Sequence, residues 1–272
     1  MSDIKQLISI IIPVYNESES IGFLLDEVIN VMSFHKFNFE LIVVNDGSKD
    51  NTQQVLKQLT LKIKELSVIS LRKNYGQTAA MSAGFDNSKG DIVITLDGDL
   101  QNDPNDIPKL ISEINNGYDL ICGWRFDRKD KLINRKIPSK IANKLIARVT
   151  GLKLHDYGCS LKAFKKEIID DIKLYGELHR FLPVLANIEG ARIKEIKVNH
   201  RSRQYGSSKY GIDRTFRVLM DLLTVWFMTK FLTRPMYGFG FVGIISIFIS
   251  LAISSYLIVL KIMGEDIGNR PL

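Results

Sequence analysis

The residues best suited to chemistry in this sequence are Asp97 and Asp99, which are separated by one glycine and followed closely by Gln101. They come directly after residues 92–96, an aliphatic and β-branched run that predicts a buried strand. Because a strand buried on both faces cannot carry carboxylates inside the fold, we expect these acids to emerge at its carboxyl end. Oxygen ligands grouped there suit Mg²⁺ or Mn²⁺, which are hard cations. The stretch therefore predicts a metal site, and the alternative interpretation is an ordinary surface turn.

Other predicted strands also end in polar residues. The apolar runs that predict strands are 7–13, 39–44, 68–71, 92–96 and 119–123, and helical patterns lie between them near 21–31, 51–66, 79–83 and 107–114. This alternation predicts an α/β fold with a mostly parallel sheet and flanking helices. Such sheets bind ligands outside the carboxyl ends of their strands. The polar residues expected at that edge are Asn16, Glu17, Asp46, Lys73, Gln77, Asp97 and Asp99.

Two observations argue against a dinucleotide-binding fold. The first predicted strand–helix turn, residues 13–18, contains no glycine, whereas dinucleotide-binding folds have a glycine-rich turn there. A G-x-G-x-x-G pattern does occur at Gly238, Gly240 and Gly243, but no strand precedes it. Small residues that ease helix contacts within a membrane explain that pattern better.

The distribution of charge divides the chain. Residues 1–124 carry 10 Lys or Arg and 17 Asp or Glu, whereas residues 125–217 carry 23 and 10. The basic section calls for an anionic partner such as phosphate or a membrane surface. Nucleic acid is not an expected partner, because the basic section borders an apolar segment and no base-stacking aromatic residues alternate with its charges.

The apolar segment at 235–260 contains no charged side chain. At about 1.5 Å per residue, a helix of this length crosses a hydrocarbon core of about 30 Å. Lys and Arg are more frequent before the segment than after it, so the positive-inside rule places residues 1–234 in the cytoplasm. We therefore expect the protein in the inner (plasma) membrane of the cell, with its catalytic part on the cytoplasmic side.

The domain organisation follows from this segment. We predict a cytoplasmic catalytic domain at 1–211, a juxtamembrane amphipathic helix at 212–234, a transmembrane helix at 235–260 and a short tail at 261–272. A basic helix near 137–150 suits the membrane interface, and a plain surface helix is the alternative. Further predicted elements are helices near 165–172 and 179–188, an edge strand at 193–199 and a cationic loop at 201–209.

An acid cluster, a cationic section and a membrane segment together predict a reaction between two phosphate-containing substrates. The donor would leave a nucleotide diphosphate, and the acceptor would be a lipid phosphate. A phosphate monoester, whose second pKa is about 6, is already anionic near neutral pH and needs no general base. Metal charge would stabilise the leaving group, and Arg or Lys side chains would hold the attacking phosphate.

Seven motifs resemble those of the polyprenyl-phosphate glycosyltransferases, family 2 enzymes of the GT-A fold that include dolichol-phosphate mannosyltransferase and bacterial undecaprenyl-phosphate sugar transferases. The motifs are PVYNES (13–18), VVNDGSKDNT (43–52), RKNYGQ (72–77), TLDGDLQ (95–101), GWR (123–125), HDYGCSLKAF (155–164) and RQYGSSK (203–209). The likeness covers about residues 7–260, and segments 156–159 and 181–190 most resemble the bacterial branch that uses UDP-sugars. It implies inverting transfer, in one displacement, of a sugar from a nucleotide-sugar to polyprenyl (undecaprenyl) phosphate.

The resemblance also implies roles for individual residues. The nucleotide-sugar pocket would contain Pro13, Tyr15, Glu17, Asp46, Gln77 and Asp97, and Lys73 is grouped with them because it lies at the same predicted edge. The metal, Mg²⁺ or Mn²⁺, and the diphosphate would be held by Asp97, Asp99 and Gln101. The acceptor phosphate would be bound by Arg125, Arg135, Ser139, Arg203 and Lys209. The predicted catalytic residues are Asp97, Asp99, Arg125 and Asp156, the last near the donor sugar without a general-base role.

Two alternatives stay open at this point. A processive polysaccharide synthase is the closest enzyme alternative, although the sequence contains no Q-x-x-R-W segment and one span cannot build a polymer channel. A membrane protein that binds nucleotide-sugars without catalysis is the alternative from another class. Members of the resembling family usually have a second span, whereas 235–260 is the one span found in this sequence. Either a second span lies outside this sequence or the protein makes do with one, and both membrane topology and assembly stay open. A homo-oligomer, with a second copy of the chain as partner, is one candidate assembly.

Overall fold

The computed structural model describes residues 6–127, 146–148, 150–203, 213–231 and 235–264, and for residues 213–219 it describes the backbone alone. The basic helix predicted near 137–150 lies outside these ranges, except that residues 146–148 and 150 are helical. Three predicted phosphate-binding residues, Arg135, Ser139 and Lys209, also lie outside the described residues.

The described strands form one sheet. They are β1 (Leu7–Val14), β2 (Asn38–Asn45), β3 (Leu66–Ser70), β4 (Ile92–Thr95), β5 (Leu120–Arg125), β6 (Lys162–Lys165) and β7 (Ile193–Val198). Their order across the sheet is β3-β2-β1-β4-β6-β5-β7. β1 pairs in parallel with β2 and β4, β2 with β3, and β5 with β7, whereas β6 runs antiparallel to both β4 and β5. The mostly parallel sheet that the sequence predicts is confirmed.

Helices follow most of the strands. The described α-helices are α1 (Ile21–Phe34), α2 (Thr52–Thr60), α3 (Gln77–Asn87), α4 (Ile107–Asn115), α5 (Lys166–Asp171), α6 (Leu182–Ile188), α7 (Asp213–Phe231) and α8 (Pro235–Ile262). Short 3₁₀ turns at Pro104–Asp106 and Leu178–Phe181 precede α4 and α6. In α1 the buried residues Ile21, Leu24, Leu25 and Val28 recur at helical spacing, so one face of the helix packs on the sheet.

β1 lies near the centre of the sheet and is buried on both faces. Ile10 and Ile12 belong to the hydrophobic core that also contains residues of α1 and α4. Ile11 points to the other face, where α3 packs: a Cβ added at Gly84 would lie 2.4 Å from Cγ2 of Ile11. The glycine thus allows α3 to approach the sheet closely, with Gln77 at the start of that helix.

Two elements differ from the sequence predictions. β6 is a four-residue strand that the patterns do not reveal, because a lysine stands at each end and only Ala163 and Phe164 between them are buried apolar residues. The helix predicted to reach about residue 66 ends at Thr60, because Leu66 already pairs with Leu41 in β3 and β2. The edge strand predicted near 193–199 is confirmed as β7.

The C-terminal helix α8 carries no charged residue before Lys261 in its last turn. Its most apolar stretch of 18 residues has a mean hydropathy of 2.4 and none of the helix residues is buried, so by length and composition it could cross a membrane. It is the one helix with these properties within the described ranges. The chain separates into two compact units, residues 1–223 and 224–272. The domain boundaries at 211 and 234 stay predictions.

Candidate active site

The acids that follow β4 lie beside the start of α3. Gly76 has φ +96°, a left-handed conformation that glycine adopts readily, and α3 begins at the next residue. That residue, Gln77, donates a hydrogen bond from Nε2 to Oδ1 of Asp97 at 2.8 Å. A predicted residue of the nucleotide-sugar pocket is therefore in direct contact with a predicted metal ligand.

Arg203 reaches the same acids from the segment after β7. Its Nη2 donates a hydrogen bond to Oδ2 of Asp99, and its Nη1 lies 4.0 Å from Oε1 of Glu17. A bridge between Asn102 and His200 aligns this segment antiparallel to the chain that follows β4. One guanidinium therefore supplies positive charge to acids from two different strand–helix turns.

The carboxyl group of Asp99 is unfavourably placed for ionisation. Burial and, second, the charge of Asp97 raise the pKa of Asp99 to about 6, although the charge of Arg203 acts in the opposite direction. Two carboxylates that repel each other in a buried place favour the binding of a cation between or beside them. This electrostatic setting suits a divalent metal ion.

The donor atoms at residues 97–101 fit a hard divalent cation with few protein ligands. Asp97 and Asp99 supply carboxylate oxygens, whereas Gln101 donates from Nε2 to the carbonyl oxygen of Arg201 at 3.4 Å. Among the described residues, no group of three or more His, Cys, Asp or Glu side chains forms a metal site. The protein would thus hold the ion with two carboxylates, leaving positions for water and substrate phosphates, as Mg²⁺ usually requires. The hydrogen bond from Nε2 leaves Oε1 of Gln101 as a candidate ligand, and the predicted metal role of Gln101 stays a prediction.

Asp46, at the end of β2, organises the loop before α3. Its Oδ1 accepts a hydrogen bond from the backbone N–H of Tyr75 at 2.7 Å, and its Oδ2 accepts one from Gly76 at 2.9 Å. Burial raises the pKa of Asp46, and the two backbone hydrogen bonds act against that rise. The Asp46 carboxylate therefore fixes the loop that leads into α3, and its place in the nucleotide-sugar pocket stays a prediction.

The remaining predicted nucleotide-pocket residues lie near the ends of β1 and β3. Pro13 pairs with Val44 across β1 and β2, and Tyr15 is half-buried directly after β1. Lys73 is exposed, and its Nζ lies 5.1 Å from the ring centre of Tyr75. These placements bring the residues to the edge of the sheet that the sequence predicts, and their nucleotide contacts stay predictions.

The first two strand–helix turns are tied together by polar contacts. Asn16 has φ +53°, and its backbone N–H donates to Oγ of Ser48 at 2.9 Å. Its side chain accepts a hydrogen bond from the backbone N–H of Lys49 at 2.7 Å. In the next residue, the N–H of Glu17 donates to Oγ1 of Thr52 at 2.9 Å. Glu17 is thus held at a fixed place beside Arg203.

Arg125 and Asp156 form a second charged pair. Arg125 ends β5, and its Nε and Nη2 donate to the two carboxylate oxygens of Asp156 at 2.7 and 2.9 Å. Burial opposes the charge of Arg125, but the hydrogen bond and charge of Asp156 outweigh it and raise the pKa of Arg125, and the charge of Asp97 adds to the rise. The four predicted catalytic residues are thus linked electrostatically, because Asp97 influences both Asp99 and Arg125.

Glu195 is a residue of this region to which the sequence analysis assigns no role. It lies in β7, and its carboxylate accepts hydrogen bonds from the backbone N–H groups of His155 and Asp156. A single acid in a short edge strand belongs to no motif. The one signal in the sequence is the apolar neighbour Ile196. Its side chain packs on the core, so the side chain of Glu195 lies on the opposite face of the strand.

A family model described as glycosyl transferase family 2 matches residues 9–173, which is more than half of the chain. The chain belongs to this family. The matched region begins in β1 and contains Glu17, Asp46, Asp97, Asp99 and Asp156, so the acids at the sheet edge all fall within it. The prediction that the protein is a glycosyltransferase is confirmed.

Curated relatives support the same assignment for this family 2 glycosyltransferase. The dodecaprenyl-phosphate galacturonate synthase of Rhizobium johnstonii is 47% identical over 270 residues, which cover 97% of this chain and 80% of the relative. The undecaprenyl-phosphate 4-deoxy-4-formamido-L-arabinose transferase of Aeromonas hydrophila is 39% identical over 267 residues, with the same two coverages of 97% and 80%. The predicted resemblance to polyprenyl-phosphate glycosyltransferases is therefore confirmed.

Solved structures show that the fold is shared more widely. The glucosyl-3-phosphoglycerate synthase of Mycobacterium tuberculosis, solved with Mn²⁺, UDP and phosphoglyceric acid, has a TM-score of 0.63 and 18% identity. The match covers 82% of this family 2 glycosyltransferase and 78% of that chain. At this identity the likeness concerns the fold alone, and it confirms the predicted GT-A type.

Proposed function

We propose that this protein transfers a sugar from a nucleotide-sugar, a UDP-sugar, to a polyprenyl phosphate of the undecaprenyl type, at the cytoplasmic face of the inner membrane. The reaction is an inverting, single displacement that yields a polyprenyl-phosphate sugar. The names of the relatives, a dodecaprenyl-phosphate galacturonate synthase and undecaprenyl-phosphate sugar transferases, support the acceptor class. The Mn²⁺ and UDP bound to the Mycobacterium tuberculosis enzyme of the same fold support the donor class.

The observation that carries the proposal is the contact of Arg203 with Asp99. Arg203 is a predicted ligand of the acceptor phosphate, and Asp99 is a predicted ligand of the donor's metal. A cation for one substrate and an acid for the other therefore meet in one place. Two anionic substrates require this juxtaposition, because each needs its own positive charge before the two reacting atoms can approach.

The residues around this contact would divide the work between the two substrates. A divalent cation held by Asp97 and Asp99 would supply positive charge to the diphosphate leaving group. Gln77 orients the carboxylate of Asp97 through its hydrogen bond of 2.8 Å. Within the described residues, Nη1 of Arg203 is buried and has no hydrogen-bond partner, and its nearest carboxylate oxygen is Oε1 of Glu17 at 4.0 Å, so the hydrogen-bonding capacity of this guanidinium is not fully used by the protein.

The lipid part of the acceptor is supported by α8. This helix has the length and mean hydropathy of a membrane span, and Arg214, Arg217, Lys230 and Arg234 precede it in the sequence. Basic residues on that side favour a cytoplasmic location of the preceding chain. A membrane-attached enzyme meets its lipid acceptor in the bilayer, whereas the nucleotide-sugar arrives from the aqueous side.

The test is a transfer assay with the full chain, purified in detergent or in lipid nanodiscs. Undecaprenyl phosphate is combined with a panel of UDP- and GDP-sugars, and mass spectrometry detects the lipid-phosphate sugar. We expect one UDP-sugar to be used, the product to be lost with excess EDTA, and the transfer rate to fall by about a hundredfold to a thousandfold in Asp99→Asn.

The matched control is Asp86→Asn, which replaces an exposed aspartate on α3 and should leave the transfer rate unchanged. Transfer of equal rate in EDTA would contradict the metal part of the proposal. A product that carries many sugars would indicate a polymerising enzyme, and turnover of no donor in the panel would contradict the proposed reaction.

A further inference from the structure

The carboxylate of Glu195 binds the chain segment that leads into Asp156. Its Oε1 and Oε2 each lie 3.0 Å from the backbone N of His155, and Oε1 accepts a second hydrogen bond from the N–H of Asp156 at 2.9 Å. Oε2 also lies 2.7 Å from Nδ1 of the His155 ring. The Glu195 side chain is 10% exposed, whereas the His155 side chain is 67% exposed, so the carboxylate is held inside the fold and the imidazole ring lies at the surface.

The sheet places Glu195 on the face where this segment lies. Glu195 is opposite Cys122 in the β5–β7 register, and Lys197 is opposite Trp124. Side chains two residues apart in a strand share a face, so Glu195 and Lys197 lie on the same side of β7. The His155 ring stacks on Trp124 with its centre 4.1 Å away and an angle of 14° between the rings.

The anchored segment carries one partner of the Arg125–Asp156 pair. Its backbone is fixed by Glu195, and the Asp156 side chain then accepts the bidentate contact from Arg125 at 2.7 and 2.9 Å. Oδ1 of Asp156 also accepts a hydrogen bond from the N–H of Gly158 at 3.1 Å. A bidentate pair depends strongly on geometry, because both parallel hydrogen bonds must be satisfied at once.

We propose that Glu195 is a positioning residue for the sugar-transfer reaction, which acts by fixing the backbone of His155 and Asp156 so that Asp156 orients Arg125. The inference deepens the proposed function and rests on it, because Arg125 and Asp156 are predicted by the family resemblance to act on the acceptor phosphate and near the donor sugar of that reaction. Glu195 itself is not placed at the reacting atoms. Its influence passes through Asp156, and this indirect route separates it from a residue that merely stabilises β7.

The experiment is a double-mutant cycle on transfer by the full chain. Glu195→Ala should lower kcat by about tenfold to a hundredfold, the size of effect expected when a reactive group is misplaced by about 1 Å. Glu195→Gln keeps one carbonyl acceptor and should recover part of the loss. In an Asp156→Asn background, Glu195→Ala should change kcat by less than about twofold, because residues that act through one another are not additive.

A fall of equal size in both backgrounds would overturn the inference, since Glu195 would then act independently of Asp156. Wild-type kcat in Glu195→Ala would overturn it as well. If Glu195→Ala does not fold, Glu195→Gln replaces it in the same cycle. The matched control is Glu113→Ala, which removes the ion pair of 2.8 Å with Lys194 on the same strand and should leave kcat unchanged.

A readout independent of turnover separates this inference from the proposed reaction. Hydrogen exchange measured by mass spectrometry should become faster at residues 155–158 in Glu195→Ala and stay unchanged there in Glu113→Ala. No transfer by the wild-type protein combined with this exchange result would contradict the reaction but keep the structural role of Glu195. Unchanged exchange at 155–158 would contradict the anchoring itself.

Discussion

Asp99 and Asp119 are buried carboxylates at opposite edges of the sheet, and their surroundings differ in kind. Asp99 follows β4 at its carboxyl end, whereas Asp119 precedes β5 at its amino end. Their exposed fractions are nearly equal, 9% and 8%. Burial, followed by the charge of Asp97, raises the pKa of Asp99 to about 6. Hydrogen bonds from Arg192, which outweigh burial, and a further bond from Lys165 hold the pKa of Asp119 well below its ordinary value.

The difference shows at which edge of the sheet the carboxylate charge is already balanced by cations of the protein. Asp119 accepts hydrogen bonds from Lys165 at 2.7 Å and from Arg192 at 2.9, 3.0 and 3.1 Å, so its charge is fully matched within the protein. Asp99 shares one guanidinium with Glu17 and lies beside Asp97. Shifted pKa values of this second kind are typical of functional sites. We call the side of the sheet at the amino end of β5 the amino edge and the side at the carboxyl end of β4 the carboxyl edge. The charged residues of the amino edge therefore stabilise the fold, whereas those of the carboxyl edge are arranged for a ligand.

Asp99→Asn should separate the two roles most clearly. The substitution keeps the shape of the side chain but removes its charge, so we expect the transfer rate to fall by about a hundredfold to a thousandfold, as when one electrostatic contact to a transition state is lost. The thermal midpoint of unfolding should change little, because the loss of the Arg203 contact is offset by relief of the repulsion from Asp97. A large drop in the midpoint with a nearly normal rate would reverse the comparison.

Asp119→Asn should give the opposite result. It leaves Lys165 and Arg192 without their carboxylate, and we expect the free energy of unfolding to fall by about 1 to 2 kcal/mol, a range that allows for solvent screening of the exposed Arg192. The transfer rate of the folded protein should stay within about twofold of wild type. The measurement is denaturant unfolding beside the transfer assay, and a rate that falls as far as in Asp99→Asn would contradict the assignment of Asp119 to stability.

The sequence predicts which polar residues lie at the carboxyl ends of the strands better than it predicts which charged side chains pair there. Acids and amides that follow apolar runs must emerge at the carboxyl ends of strands, and the structure brings Gln77 to Asp97 there. The contact of Arg203 with Asp99 is not predicted, because Arg203 lies in a loop whose path depends on packing after β7. Local sequence patterns describe residues that are neighbours along the chain. They do not predict which charged residues that are distant in the sequence come into contact in the fold.

β6 explains a second limit of the sequence analysis. This strand enters the sheet antiparallel between β4 and β5, and no alternation of strands and helices indicates such an insertion. The buried Lys162 donates hydrogen bonds to the carbonyl oxygens of Tyr157 and Cys159, so a residue typical of the surface helps to fix the segment that contains Asp156. A lysine buried in this way cannot be recognised from its residue type.

The pH dependence of metal binding should sharpen the comparison further. Because the pKa of Asp99 is raised to about 6, binding of Mn²⁺ to the nucleotide-free protein should weaken about tenfold between pH 7 and pH 5, as protons occupy the carboxyl group. Electron paramagnetic resonance of free Mn²⁺ gives the affinity. Asp119→Asn should show the same dependence, and an affinity that is constant between pH 5 and pH 7 would contradict the role of Asp99.

The two acids should also contribute to stability with opposite signs. Ionisation of Asp99 is unfavourable in the folded state, so this group lowers stability above its folded pKa of about 6, and the penalty is absent below its ordinary value of 3.8. Asp119 stabilises the fold above its ordinary value of 3.8, and this contribution is lost only as the pH falls further towards its depressed folded pKa. Unfolding of Asp119→Asn measured at pH 5 and pH 7 should therefore show the same loss relative to wild type.

Arg192→Ala should have the smallest effect, and it tests whether the match around Asp119 is redundant. The Arg192 side chain is 64% exposed, and its backbone N–H, which the substitution retains, also donates to Asp119 at 2.9 Å. Lys165, whose side chain is 29% exposed, keeps its contact of 2.7 Å. We expect a smaller loss of stability than in Asp119→Asn, and we expect that loss to shrink in about 1 M salt, where exposed pairs are screened within about 3 Å. A loss that equals that of Asp119→Asn and persists in salt would mean that this exposed guanidinium alone neutralises Asp119. The amino edge would then depend on one cation for its charge balance, as the carboxyl edge does on Arg203.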